Sequence, residues 1–137
     1  MKVGIFSFNT EYTIRADELA VEAENRGFDS VWFPEHTHIP SGRKTPYPAG
    51  GALPKEYIHM SDPFISCMAA AQATQTIKVG TGVSLLPQHE PLAMAKTVAT
   101  LDRLTNGRFL YGIGSGWNAD EMENHGAPYE KRWKVLE

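Results

Sequence analysis

Between Ala95 and Asn118 the chain reads as a helix, a stop, a strand and a glycine-rich mouth, and few folds accept that order. Ala95, Val98, Ala99, Leu101 and Asp102 mark one helical stripe. Asn106-Gly107 closes it, because glycine takes the left-handed conformation that ends helices. Arg108 to Ile113 is a short, nearly continuous apolar run, the pattern of a strand buried on both faces. Gly112, Gly114 and Gly116 then clear space where a flat ligand can meet the backbone. In parallel α/β folds active sites gather at that carboxyl end of the strands.

The same punctuation recurs along the chain. Val3 to Phe8 is expected to be a first strand. Arg15 to Arg26 is a helix with Leu19, Ala20 and Ala23 on one face, ended by Gly27, with Phe28 folding back. Ser30 to Phe33 is a second strand, stopped by Pro34. Asp62-Pro63 opens the next helix with a cap and a pre-organised first turn, its residues Phe64, Ile65, Met68 and Ala71 facing the sheet. Ile77 to Leu85 is a third strand, and Glu90-Pro91 starts a third helix in the same way. Asn118-Ala-Asp-Glu121 resembles a capping box for a short helical turn, and Tyr129 to Leu136 begins another helical pattern. The segment from Pro40 to Met60, rich in proline and glycine, reads as a lid or binding loop, or as a mobile insertion.

Alternating βα units imply a parallel sheet, either doubly wound or closed into a barrel. A complete (β/α)₈ barrel needs ~200–250 residues or more. The 137 residues form one domain and supply four such units, the last incomplete. The expectation is therefore the N-terminal half of a barrel, with Glu137 a point of truncation and strands one and four each lacking a neighbour. Net charge of −3 and no basic stripe exclude an electrostatic footprint for nucleic acid. A strand pattern from Lys2 leaves no room for a signal peptide, and no apolar run reaches the length of a membrane span. The single Cys67 excludes an internal disulfide and fits a reducing compartment as a small buried hydrophobe. A cytoplasmic protein is expected.

Three constellations lie at strand carboxyl ends. In Pro34-Glu35-His36-Thr37-His38 a histidine able to exchange a proton near neutral pH stands beside a carboxylate that can orient it. Two loop histidines bonded to backbone are the plainer reading. A metal pair His36 and His38 is a third, for which zinc needs a further ligand. In Val79-Gly-Thr-Gly-Val-Ser84 the glycines suggest close approach of a ligand or another backbone, or tight packing of a helix on the sheet. Gly112-Ile-Gly-Ser-Gly-Trp117 invites a dinucleotide reading, but its third glycine comes one residue early and no acidic residue follows at the required place. That reading is rejected. Trp117 either stacks on a flat ring or plugs the mouth.

Taken together these segments resemble the bacterial luciferase-like monooxygenase superfamily, which includes flavin monooxygenases and oxidoreductases using the deazaflavin coenzyme F-420. The likeness rests on Ser30-Val-Trp-Phe-Pro-Glu-His36, on Leu86-Pro-Gln-His-Glu-Pro-Leu-Ala-Met-Ala-Lys96, on Thr100-Leu-Asp-Arg-Leu-Thr-Asn-Gly-Arg108 and on Gly112-Ile-Gly-Ser-Gly-Trp-Asn118, in this order. The resemblance implies a TIM barrel with coenzyme F-420 or FMN across its mouth. It makes His36, with Glu35, the catalytic candidate for handling a proton. It places Ser7, Gly82, Val83, Gly114, Ser115 and Trp117 around the ring, with no metal, and a non-proline cis peptide at Gly82-Val83. Glu35-His36 matches the acidic-histidine pair of the deazaflavin enzymes and favours that cofactor. The family's sugar-phosphate dehydrogenases carry a glutamate where this chain has Trp117, which argues against a sugar phosphate. Phosphate-binding elements come largely from the barrel's second half, and Arg43 and Lys44 are read as solvated loop cations.

The leading expectation is a luciferase-like oxidoreductase passing hydride to or from a small organic substrate, with FMN-dependent monooxygenation the close variant. The alternatives are a metal-dependent TIM-barrel hydrolase using His36 and His38, or a non-catalytic half-barrel that assembles with itself or with a completing partner.

Overall fold

The computed structural model describes residues 1–136. Four parallel strands make the main sheet in sequential order: β1 (Gly4–Phe6), β2 (Ser30–Phe33), β3 (Lys78–Thr81) and β5 (Phe109–Leu110). A second parallel pair, β4 (Ser84–Leu85) with β6 (Ile113–Gly114), extends the last two strands toward the mouth. Helices α1 (Ala16–Asn25), α2 (Pro63–Ala73) and α3 (Pro91–Leu104) connect the strands. The short helices α4 (Ala119–Asn124) and α5 (Arg132–Val135) follow β6. A doubly wound sheet reverses its order at a switch point. Here the order never reverses, and the architecture is of the TIM-barrel type.

Helix boundaries follow local chemistry. Gly27 takes φ +77°, and the Phe28 N–H reaches back to the Ala23 carbonyl at 3.0 Å, a helix-ending motif that turns Phe28 onto the core. Asp62 accepts from the Ile65 N–H at 2.9 Å. Glu90 accepts from the N–H groups of Leu92 and Ala93. Each cap satisfies donors that the first turn leaves free. The Asn118 side chain makes no such bond, so the capping box expected at 118–121 does not form.

The core lies on one face of the sheet. Val31, Phe33 and Val79 point to the helices, where they meet Ala20 and Ala23 of α1, Cys67 and Ala70 of α2, and Leu101 of α3. Cys67 is fully buried there, and burial pushes its thiol well above the usual range. Ile65, expected to face the sheet, is instead 71% exposed. The close packing of α1 against α2 puts Cys67 and Ala70 inward and turns Ile65 out.

The other face carries Trp32. A Cβ at Gly80 would stand 2.7 Å from the Trp32 ring, and one at Gly4 would stand 2.8 Å from its indole nitrogen. The glycine at position 80 thus makes room for a tryptophan from one neighbouring strand and for the Leu110 carbonyl of the other, 2.9 Å from such a Cβ, the close approach of another backbone that the sequence allowed. This face borders an open cavity of about 660 Å³ lined by Gly4, Ser30, Trp32, Lys78 and Leu110. Burial on both faces, expected for Arg108 to Ile113, is therefore not met: Phe109 is buried, but Leu110 is only half-buried and Ile113 is 44% exposed. Side chains from opposite strands fill the inside of a closed barrel, and four strands leave that side open.

The third and fourth strands are each interrupted. Pairing runs Gly80 with Leu110 and resumes with Ser84 opposite Ile113, four steps on one strand against three on the other. Such a mismatch bends the strand and re-aims its side chains. The peptide bond between Gly82 and Val83 is cis, and Gly112 accepts from the Thr81 hydroxyl at 2.7 Å and from the Ser84 N–H at 2.8 Å.

Candidate active site

The bend opens a cavity of about 310 Å³ at the carboxyl ends of the strands. Glu35, His36, Gly82, Val83, Gly114, Ser115 and Trp117 line it, joined by Phe6, Phe8 and Tyr57. Ser7 does not line it, because its N–H is turned to the Trp32 carbonyl at 3.0 Å. Its neighbours Phe6 and Phe8 present their rings instead. Alternation of side chains along an extended segment accounts for the exchange.

His36 is held from both sides. Its Nδ1 lies 2.6 Å from Oε2 of Glu121 on α4, and the Trp117 indole N–H donates to its Nε2 at 3.2 Å. Glu121 is fully buried and the His36 side chain is 5% exposed. The second carboxylate oxygen accepts from the Thr37 N–H at 3.1 Å. The carboxylate expected to orient His36 was Glu35, and here the structure differs. Past the end of β2, Glu35 turns to His89 instead, at 2.9 Å from its Nε2. Glu35 also accepts from the Ser84 hydroxyl and the Leu85 N–H. Burial drives its carboxyl up, but the His89 ring and these donors outweigh that and hold it below the ordinary carboxylate range. The Glu35 bond raises His89 against the opposing effect of burial. Glu35 is thus part of the site's frame, bracing β4 and the turn after it.

Sequence reasoning missed Glu121, which it had absorbed into a capping box. The signal was available as an acidic residue beside Met122, at a position where a short helix must turn something inward. The long loop after β2 is no loose insertion. Asp120 accepts from the Lys44 N–H, the Thr45 N–H and the Thr45 hydroxyl, and these bonds hold its carboxyl down at about 2. The pinned loop brings Tyr57 to 5.3 Å from the His36 ring and Tyr47 to 6.0 Å from the Trp117 ring, measured between centroids. Burial, with Tyr47 beside it, pushes the Tyr57 phenol up to about 12. Arg43, read as a solvated cation, lies 5.6 Å over the Trp117 ring.

His36 and His38 do not turn to a shared point. His38 engages the Thr37 hydroxyl and the Asn124 amide and lies against His125. Among the described residues no group of three or more His, Cys, Asp or Glu side chains is arranged to hold a metal ion, and no helix is long and apolar enough to cross a membrane.

The family model for luciferase-like monooxygenases matches residues 1–137. The chain belongs to this family. An uncharacterized protein of Mycobacterium tuberculosis is 40% identical over 99% of the chain and 49% of its own length. Limonene 1,2-monooxygenase of Rhodococcus erythropolis is 34% identical over 94% of the chain and 30% of its own length. An F-420-dependent glucose-6-phosphate dehydrogenase of Amycolatopsis mediterranei is 35% identical over 77% and 28% respectively. Among solved structures, the FMN complex of the oxygenating constituent of 3,6-diketocamphane monooxygenase from Pseudomonas putida superposes with a TM-score of 0.73 at 23% identity, covering 99% of this chain and 37% of that one. An F-420-dependent secondary alcohol dehydrogenase bound to an F-420–acetone adduct gives 0.64 at 23%, covering 98% and 40%. These two likenesses bear on the fold alone. The chain spans about half the length of the mycobacterial relative and less of the others.

The cavity of this luciferase-like chain is lined mainly by apolar side chains and glycines. Phe6, Phe8 and Val83 give apolar surface. The glycines leave backbone exposed between them, and the volume falls at the lower end of small-molecule pockets. A Cβ at Gly114 would come within 2.5 Å of Val83 Cγ2, so the ledge formed by Val83 depends on that glycine.

Proposed function

We propose that this chain builds the ring-binding mouth of an oxidoreductase that works with coenzyme F-420 or FMN on a small organic substrate. The observation that carries the reading is the cavity at the strand ends, where a buried, doubly held histidine stands beside an apolar ledge. Phe6, Val83 and the backbone of Gly114-Ser115 would hold the ring. When bound, the cofactor supplies hydride or, in the flavin case, activates oxygen. His36 takes up a proton at Nε2 as the Trp117 indole N–H that donates there gives way, and returns it as that bond re-forms. Tyr57, Tyr47 and Trp117 shield that nitrogen from bulk water. The Glu35–His36 motif no longer separates the two cofactors, since Glu35 is committed to His89.

FMN and coenzyme F-420 have intrinsic fluorescence, so titrating the chain into each, with riboflavin as a third ligand, tests the proposal. Saturable binding of at least one of the two cofactors, weakened in H36A or V83A, is expected. Failure of both to bind at millimolar protein overturns it. The same titration separates the pair, because the two differ in ring and tail.

A further inference from the structure

Resting on the reading of His36 as the proton-handling group, we propose that Glu121 is its positioning residue. It fixes His36 as the neutral Nδ1–H tautomer and makes Nε2, whose lone pair accepts from the Trp117 indole N–H at rest, the nitrogen that takes a proton once that bond opens. The argument is one of donors and acceptors. An indole nitrogen donates only, so the Trp117 contact requires Nε2 of His36 to be an acceptor. The proton of a neutral ring must then sit on Nδ1, where it meets Oε2 of Glu121 at 2.6 Å. The other oxygen, Oε1, is taken by the backbone N–H of Thr37, which has no freedom to become an acceptor. Burial of both side chains keeps water from substituting for either bond. A carboxylate in this place therefore does more than anchor α4 to the loop. It selects which nitrogen carries the proton, as the outer partner of a functional imidazole does in general.

The arrangement predicts what an isosteric change does. In E121Q the amide oxygen is needed by Thr37, which places the amide NH₂ group against Nδ1 of His36. That nitrogen must then accept, the proton moves to Nε2, and two donors, Trp117 and Nε2–H, oppose each other. Nitrogen-15 correlation spectra of the imidazole rings at pH 8 read the tautomer directly. Wild-type His36 is expected in the Nδ1–H form, W117F is expected to keep it, and E121Q is expected to lose it as the dominant species. A structural anchor alone moves the melting temperature and not the tautomer. Three results overturn the proposal: a wild type dominated by Nε2–H, an E121Q protein that retains Nδ1–H, or a W117F protein that loses it. The wild-type and W117F spectra decide even where E121Q fails to fold. Because no cofactor is present in these spectra, failure of cofactor binding sinks the functional reading and leaves this assignment standing, and the converse also holds.

Discussion

Gly114 leaves no room for a side chain, and the atom it would strike is the tip of Val83, whose position shapes the cavity. G114A is therefore expected to turn Val83 out of its place and weaken cofactor binding about tenfold, roughly 1.4 kcal/mol, with little change in melting temperature. Parallel fluorescence titration and thermal melts check this. Glu35 gives a second residue-scale prediction. Its folded carboxyl titrates below the ordinary 4.5 and its partner His89 above the ordinary 6.5. The Glu35 contribution is complete above 4.5 and fades as pH falls through the lowered value. The His89 contribution is complete below 6.5 and fades as pH rises through the raised one. The stability gap between wild type and E35Q should thus be widest between those two pH values, at about 1–3 kcal/mol, and narrow on either side. Denaturant unfolding across the range measures it. Sequence placed Glu35 and His36 side by side but carried no information about which way each side chain leaves the backbone. That is why the orienting carboxylate had to be read from a residue 85 positions on.

At the scale of elements, Glu24 at the end of α1 organises the start of β3. Its carboxylate accepts from the N–H groups of Gln75, Thr76 and Ile77 and from the Thr76 hydroxyl. These donors, with the Thr76 N–H foremost, hold it down at about 2 against an ordinary 4.5. The tie is fully in force above 4.5 and is released as pH falls from there toward 2. E24Q should accordingly flatten the acid limb of a stability profile in that window and lie below wild type at neutral pH. Thermal melts from pH 2 to pH 7 test both statements. Elements of this kind were legible because their signals are local. The caps at Asp62 and Glu90 and the glycine ends at Gly27 and Gly107 each depend on residues a few positions apart. The breaks that split the third and fourth strands were not legible as such. They arise from a register mismatch between two strands, and a single strand's residues do not record its partner's step. The same holds for the long loop, whose pin to Asp120 joins positions 75 residues apart.

For the whole molecule, the decisive fact is that the helices cover one face of the sheet and leave the other open. On or beside that open face and its mouth, Phe6 is 52% exposed, Ile113 44% and Val83 42%, and the main sheet ends in β1 on one side and β5 on the other. Open strand edges beside exposed apolar side chains favour pairing with another chain. A net charge of −3 offers only weak repulsion against it. The 137-residue chain is therefore expected to self-associate in solution. Sedimentation velocity should show a species heavier than 15.2 kDa whose share grows with protein concentration. I113K, which sets a charge on β6 away from the His36 bonds, should shift the population toward the monomer while leaving the helical signal in place. A wild-type chain that sediments as a monomer at every concentration and fails to bind an apolar dye would mean that Trp32 and its surroundings satisfy the inner face by themselves. The barrel-type sheet would then be stable with half of its interior exposed, and the cavity at the mouth would be shaped by these residues alone.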